Sequence, residues 1–318
     1  MADPRPGRDG GRWAAPYGAR LTLAGIPLQA VDAVVLASAL FFAGLIVAFS
    51  PRIQAPWTLL LRLCLWGLLY AASLAVQRRI TAPPWRALLR MGSVQVMFVQ
   101  IYLIVHPLQL IFVRDWADPA ILRLEDSLFG VQPTLWLQRF VSPGLTEWMM
   151  FCYVIYLAIY PALGALIYLR RGEKPLEDYL FVLTLANLIC FLGFLACPVA
   201  GPLNYMPERF SVPLRGWLFT AAGEYIRHHV HMVGGNLPSP HCAIATVMWL
   251  MARRYCRPAF WLLAPVILCL YVSTFYGRYH YVTDSLTGIA AGLLVLGLAP
   301  VLLRLWNRLA GRSGRRAA

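Results

Sequence analysis

Two histidine-bearing islands in the last third of the chain carry the residue types best suited to chemistry: PSPHC at 238–242 and GRYHYVTD at 277–284. Ser239 is a good helix N-cap and Pro240 suits the first helical position, which places His241 in the first turn of a helix. Free backbone N–H groups and the positive end of the helix dipole favour an anion there, so a phosphate would be held beside His241. In the second island His280 and Asp284 are four residues apart and share a face if a helix has begun by Tyr279. A carboxylate accepting Nδ1–H would fix the imidazole tautomer and leave Nε2 free as a nucleophile. Arg278, two residues before His280, offers a guanidinium fork for phosphate oxygens.

The elements that must position these islands are two strongly apolar runs, 240–255 and 259–276. An apolar helix of about 17–25 residues crosses a bilayer, so one run leaves the first island and the next returns to the second. The chain is 318 residues long, 59% apolar and 13% charged, with a mean hydropathy of +0.61. That excludes a soluble globular composition. The pattern predicts an all-α integral membrane protein, a polytopic bundle of about eight transmembrane helices with short outer interfacial helices. The expected spans are 28–49, 57–76, 91–113, 147–169, 179–197, 240–255, 259–276 and 281–303. They divide the chain into a basic head (1–27), an N-terminal two-helix hairpin (28–90), a six-helix core (91–305) and a basic tail (306–318).

The formal charge of +14 raises the question of nucleic acid, but its distribution argues against that partner. With the N-terminus inside, the inner segments hold 19 of the 28 Lys and Arg, whereas eight of the 14 Asp and Glu fall outside. This positive-inside bias places both termini in the cytoplasm and both histidine islands on the extracytoplasmic face. The Ala- and Arg-rich composition points to a bacterial inner membrane, with no cleavable signal expected.

Asp32 and Arg62 lie near span ends and read as interfacial anchors by snorkelling. Gln95, Tyr102, His106 and Gln109 fall on one face of the third span, either lining a cavity or hydrogen-bonding between helices. The stretch 114–146 reads as amphipathic surface helix, with Ile121, Leu124 and Leu128 on one face and Arg123, Glu125 and Asp126 elsewhere. Tyr153, Tyr156 and Tyr160 are an aromatic wall or, preferably, ordinary packing. A long outer loop (197–236) carries Arg209, Arg215 and Arg227, candidates to hold an anionic headgroup. The seven cysteines, none in a CxxC spacing, read as packing residues. An HHxH cluster at His228, His229 and His231 is a rival metal-binding reading, without a paired Cys or carboxylate spacing to strengthen it.

The paired islands resemble the type 2 phosphatidic acid phosphatase and vanadium haloperoxidase superfamily. Its Pro-Ser-x-His motif is similar to Pro238-Ser239-Pro240-His241, and its Ser-Arg-x5-His-x3-Asp motif to Ser273-Thr274-x5-His280-x3-Asp284. The resemblance implies that His280 attacks phosphorus to form a phosphohistidine and that Asp284 orients and charge-stabilises it. His241 would protonate the leaving oxygen and then activate the acceptor. The family's Lys-x6-Arg-Pro motif is missing ahead of His241, Thr274 stands where its arginine does, and Pro240 stands at a frequent glycine. With Tyr281 after the histidine, these departures look more like the inositol phosphorylceramide synthase branch, which transfers a headgroup from phosphatidylinositol to ceramide. Ser239 and Arg278, then Arg209 or Arg215, are the expected phosphate ligands. The partners implied are membrane lipids as substrate and acceptor, with no metal or other cofactor. Hydrolysis of a lipid phosphate is the alternative. A transporter is disfavoured, since neither paired repeats nor broken mid-membrane helices are visible.

Overall fold

Proline sets most of the helix starts. It lacks a backbone N–H and has φ fixed near the helical value, so it fits the first turn and nowhere deeper without cost. The computed structural model describes residues 21–23, 26–229 and 232–316. In it a short antiparallel ribbon, β1 (Leu21–Leu23) and β2 (Ile26–Leu28), precedes α1 (Ala30–Ala48). Then come α2 (Pro56–Gln77), α3 (Pro83–Val105), the surface helices α4 (Asp118–Phe129) and α5 (Pro133–Trp136), and the long α6 (Pro143–Arg171). The chain continues through α7 (Glu173–Ala196), α8 (Pro202–Tyr205), α9 (Leu218–His229), α10 (Pro240–Tyr255), α11 (Arg257–Tyr276) and α12 (Val282–Arg316). The all-α polytopic architecture expected from hydropathy is the one observed. Residues 1–20 of the basic head lie outside the described residues.

Among the described residues, seven helices are long and apolar enough to cross a membrane, one fewer than expected. The exception is α10, whose 16 residues span only about 24 Å at 1.5 Å per residue, short of a hydrocarbon core of about 30 Å. It needs no lipid-facing length, because residues 242–248 are all buried among neighbouring helices. The third span is displaced as well: α3 starts at Pro83 rather than near Met91, and Pro107 stops it where a continuation to Val113 was expected. The expected open loop 197–236 contains the 12-residue helix α9. Glu147 of α6 supplies its cap, accepting the backbone N–H groups of Trp217 (2.7 Å), Phe219 (2.6 Å) and Thr220 (3.1 Å).

The core runs along α7, which is 67% buried over its apolar stretch against 17% for the lipid-facing α2. The helix α12 reaches α10 through two small residues one turn apart, Gly288 and Gly292. A Cβ on Gly288 would lie 2.9 Å from Cys242 Cβ, and one on Gly292 would lie 2.7 Å from the Ala243 carbonyl oxygen. Small residues spaced by four let helix backbones approach closely, and here they bring the N-terminus of α10 against the first turns of α12.

At the opposite end the bundle is closed by charge. Arg90 (4% exposed) donates to Asp32 Oδ1 at 2.5 Å and, through Nε and Nη2, to Glu177 at 2.8 and 2.9 Å. Tyr70 Oη donates to the same Asp32 oxygen at 2.6 Å. Asp32 is therefore a buried partner in an ion network joining α1, α2, α3 and α7, not an interfacial anchor. Arg62 likewise reaches inward, donating to Gln100 of α3 at 2.8 Å. A cavity of about 360 Å³ opens beside this network, lined by Arg78, Arg86 and Glu173 among others, and none of the site histidines reaches it. Removing one partner of a buried ion pair strands the other charges. Arg90→Met is therefore expected to cost about 3–5 kcal/mol, read as a lower unfolding midpoint in detergent by tryptophan fluorescence.

Candidate active site

The first turn of α10 forms as its residue types require. Ser239 is the N-cap, its Oγ accepting the Cys242 N–H at 3.4 Å, and Pro240 occupies the first turn ahead of His241. The second island forms the corner between α11 and α12. The Thr274 carbonyl accepts both the Tyr279 and His280 N–H groups at 3.1 Å, which folds the chain back at the end of α11. Asp284 then sits in the first turn of α12, where its Oδ2 accepts the Tyr281 N–H at 2.9 Å. The two islands are joined directly by the Ser239 N–H, which donates to the Asp284 carbonyl at 2.9 Å.

This brings four of the expected residues together. His280 Nε2 lies 3.4 Å from His241 Nδ1, and His280 Nδ1 faces Asp284 Oδ2 at 3.6 Å. The carboxylate thus stands on the tautomer-setting side of the ring as the spacing predicted. The separation is slightly beyond a hydrogen bond, and His280 Nδ1 has no hydrogen-bond partner among the described residues. His280 is 2% exposed and Asp284 fully buried. Burial holds the His280 imidazole at about 3, well below its ordinary value, because its charged form loses water. The ring is neutral at physiological pH, the state that a nucleophilic nitrogen requires.

The His241 ring is held by aromatic faces. Tyr153 stacks on it with centroids 4.6 Å apart and planes at 25°, Tyr156 lies at 5.2 Å, and Tyr279 stacks on the far side of Tyr153 at 4.6 Å. Tyr153 and Tyr156 are buried core residues, as the packing reading has it, and they pack on the His241 ring, while Tyr160 packs against Tyr179. The polar face of the third span acts one step back. Gln109 Oε1 accepts the Gly235 N–H at 2.6 Å and its Nε2 meets His106 Nδ1 at 2.9 Å, so both residues clamp the loop that leads into α10.

The arginines behave less uniformly. Arg278 is 8% exposed, has φ +68 in the left-handed region, and donates to the Val212 carbonyl with its guanidinium 4.6 Å over the Phe210 ring. Burial lowers its pKa from the ordinary arginine value. Arg209 and Arg215 are exposed on the outer loop, Arg209 against Met206 Sδ at 3.7 Å, and neither hydrogen-bonds to His280 or Asp284. Arg227 pairs with Glu224 at 2.5 Å. Thr274, at the motif's arginine position, is fully buried; its hydroxyl donates to the Tyr271 carbonyl at 2.8 Å and lies 2.7 Å from Ser285 Oγ. Of the HHxH cluster, His229 stacks on Tyr225 at 4.2 Å, while His231 and the His228 side chain lie outside the described residues.

Two carboxylates of the surface helix, Glu125, which the amphipathic reading set apart from Ile121, and Asp118, which it did not single out, bond to residues 281 and 283 beside the second island. Asp118 and Glu125 are fully buried, whereas Leu124 and Leu128 are 42% and 64% exposed. The helix α4 therefore turns Asp118, Ile121 and Glu125 inward and leaves Arg123, Leu124, Asp126 and Leu128 outward. The chemistry of the His280 pocket yields a first check. In ¹⁵N-histidine spectra assigned with His280→Gln, the His280 ring nitrogens are expected to keep neutral-imidazole shifts from pH 7.5 down to about pH 4. An ordinary titration near 6.5 would contradict the buried, neutral ring.

A family model described as the PAP2 superfamily matches residues 119–298, more than half of the chain. No curated protein and no solved structure matches significantly. The matched stretch begins in α4 and ends in α12, and it contains both histidines, the aspartate and the helices that hold them. The chain is an integral membrane protein of the PAP2 superfamily, a family of phosphatase and phosphoryl-transfer enzymes.

Proposed function

We infer that the protein transfers a phosphoryl or phosphodiester headgroup from a membrane lipid through a covalent phosphohistidine. The observation that carries this reading is the line Asp284–His280–His241, with spacings of 3.6 and 3.4 Å. The His280 Nε2 lone pair attacks phosphorus, the P–N bond forms as the bond to the leaving oxygen breaks, and His241 gives that oxygen a proton. In the second step His241 takes a proton from the acceptor hydroxyl, whose oxygen attacks phosphorus and releases Nε2. Phosphorylation makes the buried His280 ring cationic, and the Asp284 carboxylate stabilises that charge. Such displacement relies mainly on positioning and charge stabilisation, and the positive end of the α10 dipole favours an anion beside His241. Arg278 is the nearest cation in sequence to the nucleophile and the first choice as phosphate ligand. Arg209 and Arg215 could serve only by movement of the outer loop.

The acceptor is proposed to be an alcohol, with an inositol-phosphate-type headgroup as the group transferred. Burial of the nucleophile to 2% exposure supports exclusion of bulk water, and Thr274 and Tyr281 carry the likeness to the transferase branch. Hydrolysis is the second reading, favoured by the phosphatase members of the family itself. Topology is inferred from charge. Arg170, Arg171, Arg253, Arg254 and Arg257 gather at the end of the bundle where α6 meets α7 and α10 meets α11. By the positive-inside bias that end is cytoplasmic, and the histidines face the other side.

The test is product analysis by mass from vesicles containing a panel of phospholipids and lipid phosphates, with and without ceramide-like or other alcohol acceptors. His280→Ala is expected to lower turnover at least about 1,000-fold, on the scale of losing a covalent nucleophile, and turnover should persist with a chelator present. Unchanged turnover in His280→Ala removes the proposed nucleophile, and loss with chelator that divalent metal restores removes the metal-independent mechanism.

A further inference from the structure

Residues 280–284 hold the nucleophile and its carboxylate, and the residues between them are gripped from α4. Tyr281 Oη donates to Asp118 Oδ1 at 2.9 Å. The Thr283 N–H and Oγ donate to Glu125 Oε1 at 2.8 and 3.1 Å. Asp118 and Glu125 are seven residues apart, two turns along one helix face, so a single rigid element holds the segment at two points. Asp118 also accepts the Ala200 and Gly201 N–H groups at 2.8 and 3.0 Å, which fixes it to the loop after α7.

The helix start at α12 explains why such help is needed. The first N–H groups of a helix have no partner within it, and an N-cap side chain normally accepts one of them. The residue before α12 is Tyr281, whose long ring cannot fold back to do this and points to Asp118 instead. Asp284, three residues on, already reaches back to the Tyr281 N–H, one half of a capping box. With the Asp284 carboxylate committed to the Tyr281 N–H, the Thr283 N–H in the same turn still needs an acceptor. Glu125 supplies the missing acceptor from another helix, and the Asp284 side chain stays where it faces His280.

Packing alone does not account for the two acids. Ile121, between them in sequence and 6% exposed, already buries an apolar side chain against this region. Burying carboxylates is costly unless they are hydrogen-bonded. The hydrogen bonds that offset this cost run to the Ala200–Gly201 backbone and to the two residues that flank the start of α12, Tyr281 and Thr283. The geometry points to Asp118 and Glu125 as positioning residues for phosphoryl transfer: α4 caps α12 in trans and thereby sets the His280–Asp284 register. This rests on the reading of His280 as nucleophile.

The experiment compares steady-state kinetics of the full-length protein in vesicles for wild type, Glu125→Ala, Glu125→Gln, Tyr281→Phe, Leu128→Ala and His280→Ala. A misplacement of about 1 Å at a reacting group costs on the order of 100-fold. Glu125→Ala is therefore expected to lose about 100-fold in kcat with KM within about threefold. Glu125→Gln, which keeps the Oε1 acceptor, should recover to within about fivefold of wild type. Tyr281→Phe should lose about tenfold in kcat, and Leu128→Ala, on the outward face of α4, should behave as wild type. Wild-type kcat in Glu125→Ala, or equal damage in Glu125→Gln, overturns the proposal. Should Glu125→Ala not fold, an undiminished kcat in Tyr281→Phe overturns it instead. If His280→Ala retains turnover, the functional reading fails, and if only that variant is inactive, the positioning role fails alone.

Discussion

The bond from the Ser239 N–H to the Asp284 carbonyl, 2.9 Å long, joins the first turns of α10 and α12 and so fixes the distance between the two histidines. It exists only because the two backbones come close. Gly288 leaves room for the Ser239 carbonyl and Cys242, and Gly292 for the Ala243 carbonyl. The imidazole pair follows from that contact, since His241 is two residues after Ser239 and His280 four before Asp284. The short, fully surrounded α10 is part of the same constraint: a helix wrapped by others on every side can end where the chemistry needs it to end.

Around this contact several backbone groups are satisfied by partners distant in sequence. Glu147 caps α9, Glu125 caps α12, Gln109 holds the loop before α10, and Asp118 ties the loop after α7 to Tyr281. Glu147, Glu125 and Asp118 sit on helices and Gln109 just after one, so the loops over the site are tied to the helical frame. In an apolar surrounding an unpaired backbone group is expensive, and carboxylate or amide side chains from neighbouring helices are the available remedy. The aromatic stack of Tyr279, Tyr153 and His241 adds a packed face beside the His241 ring.

Much of this is readable from the chain alone, because hydropathy runs and short-range spacing report directly on it. The spans, the cap at Ser239, the i,i+4 relation of His280 and Asp284, and the meeting of the two islands all depend on near neighbours. What escapes such reading is non-local. Arg90 reads as one more basic residue at a span end, and nothing nearby shows that Asp32 and Glu177 are its partners, 58 and 87 residues away. Glu125 is set apart from Ile121 by the amphipathic pattern, and nothing nearby shows that its partner is Thr283, 158 residues away. The Gly288–Gly292 spacing is the one signal of the helix contact that the sequence does carry, a small-residue pair on the helix that holds Asp284.

The Arg90 network also bears on how the protein is made. Its three ionic members arrive in order, Asp32 on α1, Arg90 on α3 and Glu177 on α7, and the arginine's second carboxylate is synthesised 87 residues after it. A lone arginine in a nascent span is costly in lipid, by about 2.5–3.5 kcal/mol at the helix centre on insertion scales. Asp32 on α1 is already made when Arg90 appears, so the pair between them has both members before α7 exists. Glu177 adds the second carboxylate once α7 packs, so the ionic closure of the N-terminal half is completed by a helix made well after it.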